Sequence, residues 1–237
     1  MNNNQFIIEA VALVKKYQMG SEEISAVAGV SVQIKQGKFY AFVGPSGSGK
    51  STLLNLLGAL DSPSSGKLKI FGDEVFNSDK KHNVSQRLLT AVRRKYFGFV
   101  FQNFYLLPTL TVKENISLPL LFTRKKIDPA KIDKILTKLG LEGRGKHLPS
   151  QLSGGEMQRV AIGRALAVNP QIIIADEPTG NLDSKNAEMV FDIFKKLSQE
   201  GITVLTATHD VQLAQNFSDE IIRLKDGKIY ETTDCTD

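Results

Sequence analysis

The stretch Gly44-Pro45-Ser46-Gly47-Ser48-Gly49-Lys50-Ser51 fits one structural context and few others. Phe39 to Val43 precedes it, a short continuous apolar run of the kind that forms a buried parallel strand. Thr52 to Leu60 follows and reads as a helix. The glycines let the backbone curl so that its N–H groups face one point, and the helix adds its positive N-terminal end. That point is a phosphate site: Lys50 can reach β- and γ-phosphates, and Ser51 can offer its hydroxyl to Mg²⁺. Gly44, Ser46, Gly47, Ser48, Gly49, Lys50, Ser51 and Thr52 are the candidate contacts.

A strand feeding a helix in this way belongs to an α/β core, and the rest of the chain agrees. Phe6 to Val14 and Val30 to Ile34 read as strands, with a turn at Gln36-Gly37. Leu68 to Phe71 and Gly98 to Gln102 are further strand candidates, and the polar stretch Asp73 to Arg94 between them reads as a connection and a helix. From about 104 to 165 the pattern turns helical, with apolar spacing over Ile132 to Leu139 and Met157 to Val168. Ile172 to Ala175 and Thr203 to Thr208 resume buried strands around a helix, Asn186 to Gln199. Asp226-Gly227, between Ile221–Leu224 and Lys228–Tyr230, signals a tight hairpin. Strands alternating with helices imply a mainly parallel sheet.

At 237 residues, 41% hydrophobic and 23% charged, the chain can bury a sizeable core as one domain. No apolar run reaches the roughly 18 residues of a membrane span. Met1 to Gln5 lacks the basic and apolar regions of a signal peptide, and Cys235, the one cysteine, cannot form an intrachain disulfide. A cytoplasmic location is expected. The net charge of +5 and pI near 9.2 are compatible with nucleic-acid or anionic-lipid binding. The basic patches Arg93-Arg94-Lys95 and Arg124-Lys125-Lys126 are short, however, and acidic residues lie among the scattered lysines, so solvated surface is the expectation and no nucleic-acid partner is expected.

Several residues carry chemistry beyond the phosphate loop. Ile172 to Glu177 is an apolar strand ending in two carboxylates. Asp176 would hold Mg²⁺, and Glu177 could polarise an attacking water as general base. Pro178 keeps Glu177 out of helical geometry. His209 follows the Thr203 to Thr208 strand, where it either serves a structural hydrogen bond or faces the ligand crevice. Ser153-Gly154-Gly155 opens an amphipathic helix: serine is a good cap, but two glycines there cost helix stability and point to a second anion site.

The order of these motifs resembles the ATP-binding cassette (ABC) ATPases over essentially the whole chain, with Leu152-Ser153-Gly154-Gly155-Glu156-Met157-Gln158 as the signature segment. The resemblance implies a P-loop core with a mainly parallel sheet, an N-terminal antiparallel β subdomain and an inserted helical subdomain. It implies ATP and Mg²⁺ as ligands. It makes Gln102, otherwise an ordinary strand-end residue, a sensor of metal and γ-phosphate alongside Ser51 and Asp176. It makes Tyr17, between the first two strands, either an edge-strand tyrosine or the ring that stacks on adenine. Ser153, Gly154, Gly155 and Glu156 would contact ATP held by a second copy. Asp183 would cross the same interface, cap the next helix, or do both.

Leu57 to Asp61, Gly98 to Gln102, Leu106 to Asn115 and Pro178 to Asp183 look like the subgroup serving lipoprotein release, macrolide-type export, antimicrobial-peptide resistance and cell division. One departure is Gly163, where the family often has alanine. Two classes of function are implied. In one, an ATP-dependent homodimer drives an integral membrane permease from the inner face of the membrane. In the other, the ATPase signals as a regulatory adaptor of a membrane complex. DNA-repair relatives need long coiled-coil insertions and translation-factor relatives a second cassette, and this chain has neither.

Overall fold

The computed structural model describes residues 6–80, 85–122 and 128–235. The N-terminal segment Met1 to Gln5 and the basic patch Arg124 to Lys126 lie outside the described residues. Two sheets organise the chain. In the first, β1 (Phe6–Met19) pairs antiparallel with β2 (Glu22–Lys35) and with β4 (Ser65–Ile70), and β4 pairs with β5 (Asp73–Asn77), giving the order β2-β1-β4-β5. The second contains β3 (Phe39–Val43), β6 (Phe97–Phe101), β7 (Ile172–Asp176), β8 (Thr203–Thr208), β9 (Glu220–Lys225) and β10 (Lys228–Asp234), in the order β10-β9-β3-β8-β7-β6. Every neighbouring pair from β9 to β6 is parallel, and β10 closes the edge as an antiparallel hairpin.

Strand periodicity decides what each face of the parallel sheet buries. Ile172 and Ile174 face a core shared with α1 (Lys50–Leu57), α2 (Gln86–Tyr96) and the antiparallel sheet. Ile173 and Ala175 face a second core built with α3 (Val112–Leu121), α4 (Pro129–Lys138), α5 (Gly154–Ala167) and α6 (Ser184–Gln199). Phe39 anchors that second core against Phe191 and Phe194, with ring centroids 5.7 and 6.0 Å away. The short helix α7 (Val211–Phe217) follows β8.

Several elements depart from expectation. β1 runs to Met19 and β2 begins at Glu22, so Tyr17 lies within β1, paired with Ile24, and not between strands. Glu22 to Ser25 is exposed and lacks an apolar stripe; pairing with β1 makes it a strand where local preference does not. Asp73–Asn77, expected in a connection, is β5, held by pairing with β4 around buried Val75. α1 stops at Leu57 and not Leu60: Ala59 takes φ 54°, and the Leu60 and Asp61 amides both turn back to the Asn55 carbonyl.

Gly163 has a packing reason. A Cβ there would come 3.0 Å from methyls of both Ile116 and Leu139, where α5 meets the two helices before it.

The loop after β6 is pinned by side chains. Asn115, fully buried on α3, accepts from the Leu107 amide at 2.8 Å and donates to the carbonyls of Leu107, Leu110 and Thr111 at 2.9–3.1 Å. Arg164 on α5 donates to the carbonyls of Phe104 and Tyr105. Replacing the fully buried Asn115 with alanine removes all four of these hydrogen bonds and should cost about 2–4 kcal/mol. Urea unfolding checks this: the midpoint should fall with no change in slope.

Candidate functional site

Four parallel strands end side by side, and the chain's polar candidates follow their carboxyl ends. Val43 pairs with Thr208, Ala207 with Asp176, and Asp176 with Phe101. The phosphate loop, His209, Glu177 and Gln102 therefore emerge at one edge of the sheet, where open α/β sheets bind ligands.

The loop is shaped by close approaches that only glycine permits. A Cβ on Gly44 would fall 2.2 Å from the Leu224 carbonyl oxygen, and one on Gly49 2.2 Å from that of Ala26. Gly49 has φ 97° and is the N-cap of α1, with no side chain capping the helix. The other α-helices start at Ser85, Thr111, Asp128, Ser153, Asp183 and Asp210, each of which caps its helix with a side-chain hydrogen bond. The first-turn amides of α1 are thus left for a ligand. Ser48 Oγ is buried there without a hydrogen-bond partner. The hairpin turn at Asp226-Gly227 adopts the positive φ values expected of it, 48° and 73°, and braces the loop: the Gly227 amide donates to the Ser48 carbonyl, and the Gly227 carbonyl accepts from Ala28.

Lys50 is buried, and its amine donates to the carbonyls of Gly44 at 2.9 Å and Pro45 at 3.1 Å. Ser51 Oγ donates to Asp176 Oδ1 at 2.8 Å. Burial pushes the Asp176 carboxyl above its usual range, and the Glu177 charge adds to this; the Ser51 hydroxyl and Lys50 ammonium oppose it. A divalent cation would relieve that penalty. The donors are hard oxygens, as Mg²⁺ prefers, and no group of three or more His, Cys, Asp or Glu among the described residues could cage a metal alone. Ser51 and Asp176 thus suit an ion that draws its other ligands from phosphate and water.

Glu177 takes φ 46°, a left-handed conformation and not the extended one usual before proline. It is held there by its amide, which donates to the Ala207 carbonyl at 3.0 Å, and by the Gly180 amide, which donates back to the Glu177 carbonyl. Its Oε2 lies 3.4 Å from Nδ1 of the exposed His209. Thr208 and Asp210 fix the backbone on either side of that histidine: Asp210 N donates to Thr208 Oγ1, and Asp210 caps α7.

A cavity of about 330 Å³ opens on the loop and Glu177, lined by Tyr17, Ala26, Ser46, Gly47, Gly49, Lys50, Ser51, Thr52 and Glu177; Asp176 and His209 stand beside it and do not line it. Ligand sites are typically roughly 300–1,000 Å³. Ala26 is a wall residue that no sequence signal marked; it belongs to the part of β2 that was not expected to be a strand.

Gln102, Asp183 and the signature segment lie off this wall. Gln102 is exposed and packs on the segment after Glu177: its Nε2 donates to Asn181 Oδ1 at 3.4 Å, and a Cβ on Gly180 would meet it at 2.7 Å. Asp183 caps α6 and accepts from the Asn186 amide and side chain. Ser153 is exposed and forms a reciprocal cap with Glu156: the Glu156 amide donates to Ser153 Oγ, and Glu156 Oε2 accepts from the Ser153 amide and hydroxyl. The Ser153 amide holds the Glu156 carboxyl below its usual range despite partial burial, aided by the Ser153 hydroxyl and Arg144, whose Nε is 2.9 Å away. Gly155 needs no ligand to explain it, since a Cβ there would strike the Asn186 side chain at 2.0 Å. Gly154 has no such constraint, its nearest contact lying at 3.5 Å.

Known proteins match this arrangement. A family model described as "ABC transporter" matches residues 27–180. The chain is similar to the macrolide export ATP-binding/permease protein MacB of Bdellovibrio bacteriovorus, at 44% identity over 223 residues, 94% of this chain. It spans only 33% of that protein's length. Among solved structures it is similar to dimeric MJ0796, described as a bacterial ABC transporter cassette, at 43% identity and a TM-score of 0.85, covering 97% of this chain and 99% of that one. A dimer of the same cassette in a post-hydrolysis state, bound to ADP and Pi, matches at 42% identity with the same TM-score and coverage. The cbiO1 protein of Clostridium perfringens, part of the ABC transporter complex cbiONQ, matches at 26% identity and a TM-score of 0.84, covering 97% of this chain and 89% of that one.

Proposed function

The chain belongs to the ABC transporter ATPases, and we propose that two copies close head to tail over two ATP molecules to drive a membrane permease. One observation carries this. Lys50, Ser51 and Glu177 line one cavity at the sheet edge where Asp176 and His209 also emerge, whereas Ser153 and Asp183 are exposed and do not line it. A second copy could bring its own Ser153 and Asp183 to the open side.

In this reading the loop amides and Lys50 bind the phosphates, and Tyr17 stacks on adenine. Mg²⁺, held by Ser51 and Asp176 with Gln102 nearby, would neutralise phosphate charge. Glu177 accepts a proton from the attacking water, and His209, within reach of Glu177, orients it. The partner's Ser153-Gly154-Gly155 step supplies amides and a hydroxyl to the γ-phosphate, with Glu156 setting the serine through its cap. Gln102 touches Asn181 and begins the loop that Arg164 and Asn115 tie to α5 and α3, so a change at the nucleotide can reach the helices.

A larger cavity of about 540 Å³ lies beside that loop, walled by Phe97, Phe99, Phe101, Tyr105, Phe122 and Arg93 among others. It suits an apolar helix with acidic or polar ends, such as a permease would present. No helix of the described residues is long and apolar enough to cross a membrane. The chain would therefore sit in the cytoplasm against the inner face of the cell membrane as one cassette, its helical subdomain at about 104–165 inserted in the P-loop core. The subgroup motifs favour export, lipoprotein release or antimicrobial-peptide resistance as the work done.

Ser153→Ala tests the two-copy clamp. Losing the cap should cost about 1 kcal/mol of stability. ATP should still bind, while ATP-dependent dimers and turnover should be lost. Gel filtration with ATP would show this, and a variant that dimerises and hydrolyses normally would refute the role.

A further inference from the structure

Tyr17 is held from behind by a charged pair outside the nucleotide cavity. Lys15 and Tyr17 are two residues apart on β1, either side of a register shift in its pairing with β2, and their side chains meet. Lys15 Nζ lies over the Tyr17 ring, 5.1 Å from its centroid. The Tyr17 hydroxyl donates to Asp61 Oδ2 at 3.1 Å, and Lys15 Nζ donates to Asp61 Oδ1 at 2.7 Å. Lys15 also donates to the Ser62 carbonyl at 2.9 Å, and the Ser62 amide donates to Asp61 Oδ1 at 2.7 Å. Neither Lys15 nor Asp61 lines the cavity that Tyr17 borders.

Asp61 is placed by the same helix that carries the phosphate loop. α1 opens at Lys50, and just past its C-terminal end the Asp61 amide turns back to the Asn55 carbonyl at 3.2 Å. Burial pushes the Asp61 carboxyl up, but Lys15, the Ser62 amide and the Tyr17 hydroxyl outweigh it and hold the group below its usual range. A charged acceptor therefore meets the phenol, and charge-assisted bonds of this kind fix geometry well.

Tyr17 is 40% exposed, so the contacts behind its ring restrain it where packing alone does not. Lys15 covers the ring and the hydroxyl is tied down. We infer that Asp61, together with Lys15, is a positioning residue for the nucleotide base, presetting the Tyr17 ring so that adenine stacks on a surface already ordered. This rests on the assignment of Tyr17 as the adenine platform. Ordering a free side chain on binding would cost about two- to tenfold in affinity, and that is the advantage Asp61 confers.

Calorimetric titration of the full chain with ATP, without Mg²⁺ so that nothing is hydrolysed, and with inorganic triphosphate separates base from phosphate binding. Asp61→Ala and Tyr17→Phe should each weaken ATP about two- to tenfold and leave triphosphate affinity unchanged. Combined, they should be no worse than either alone, because both break the same contact. Unchanged ATP affinity in Asp61→Ala, or equal losses for ATP and triphosphate, would overturn the inference; the latter would make Asp61 a brace of the phosphate loop. Tyr17→Ala tests the underlying assignment separately and should weaken ATP roughly 5- to 100-fold. If it does not, the adenine platform itself is wrong. If it does while Asp61→Ala and Tyr17→Phe have no effect, only the positioning role fails.

Discussion

Glu177→Gln is expected to bind ATP as tightly as the parent chain and to lose turnover by about 10²–10⁴-fold, the usual contribution of a positioned base. The substitution is nearly isosteric. The left-handed backbone of Glu177 is fixed by main-chain bonds to Ala207 and Gly180, which glutamine leaves intact. The ability to accept a proton is removed, together with the negative charge beside Asp176 and His209. Steady-state ATPase assays paired with an ATP binding isotherm would show a fall in kcat without a matching rise in Kd. Near-normal hydrolysis would strip Glu177 of its role and move attention to His209, its 3.4 Å neighbour.

Lys50→Ala should act on the other half of the reaction, weakening ATP itself. The amine is buried and points at the loop carbonyls of Gly44 and Pro45, where phosphate oxygens would compete for it. Removing one partner of a buried charge pair costs about 2–5 kcal/mol. That corresponds to roughly thirty- to several-thousand-fold in affinity. Hydrolysis at saturating ATP should fall as well, since charge developing on the γ-phosphate loses its cation. An unchanged binding isotherm would mean that the loop does not cradle phosphates. Because Lys50 also fills space at the start of α1, a thermal melt of the variant should accompany the isotherm.

The parallel sheet and its ligand edge were legible in the sequence because buried strands carry a strong, local signal. Phe39–Val43 and Ile172–Ala175 are apolar or aromatic throughout, Thr203–Thr208 mixes apolar residues only with β-branched threonine, and each leads directly into a polar candidate. The Asp226-Gly227 hairpin was legible for the opposite reason, since only a few residue pairs accept two successive positive φ values. The antiparallel sheet was harder. All but Val27, Val30 and Ile34 of β2 and all but Val75 of β5 face outward or sit half-exposed, so their strand character comes from pairing with a partner strand. The sequence therefore puts Tyr17 between strands and carries no sign of Ala26 as a wall of the cavity.

The second anion site was read from Ser153-Gly154-Gly155, and the structure supplies a different reason for part of it. Gly155 packs directly against the Asn186 side chain, and Ser153 caps its helix with Glu156. Only Gly154 has no close neighbour that accounts for the absence of a side chain.

Light scattering of Glu177→Gln with ATP is the most direct test of the two-copy clamp. With hydrolysis blocked, ATP should convert monomer to dimer, and adding Ser153→Ala to the same chain should return it to monomer. A Glu177→Gln chain that binds ATP yet stays monomeric at every protein concentration would contradict the clamp.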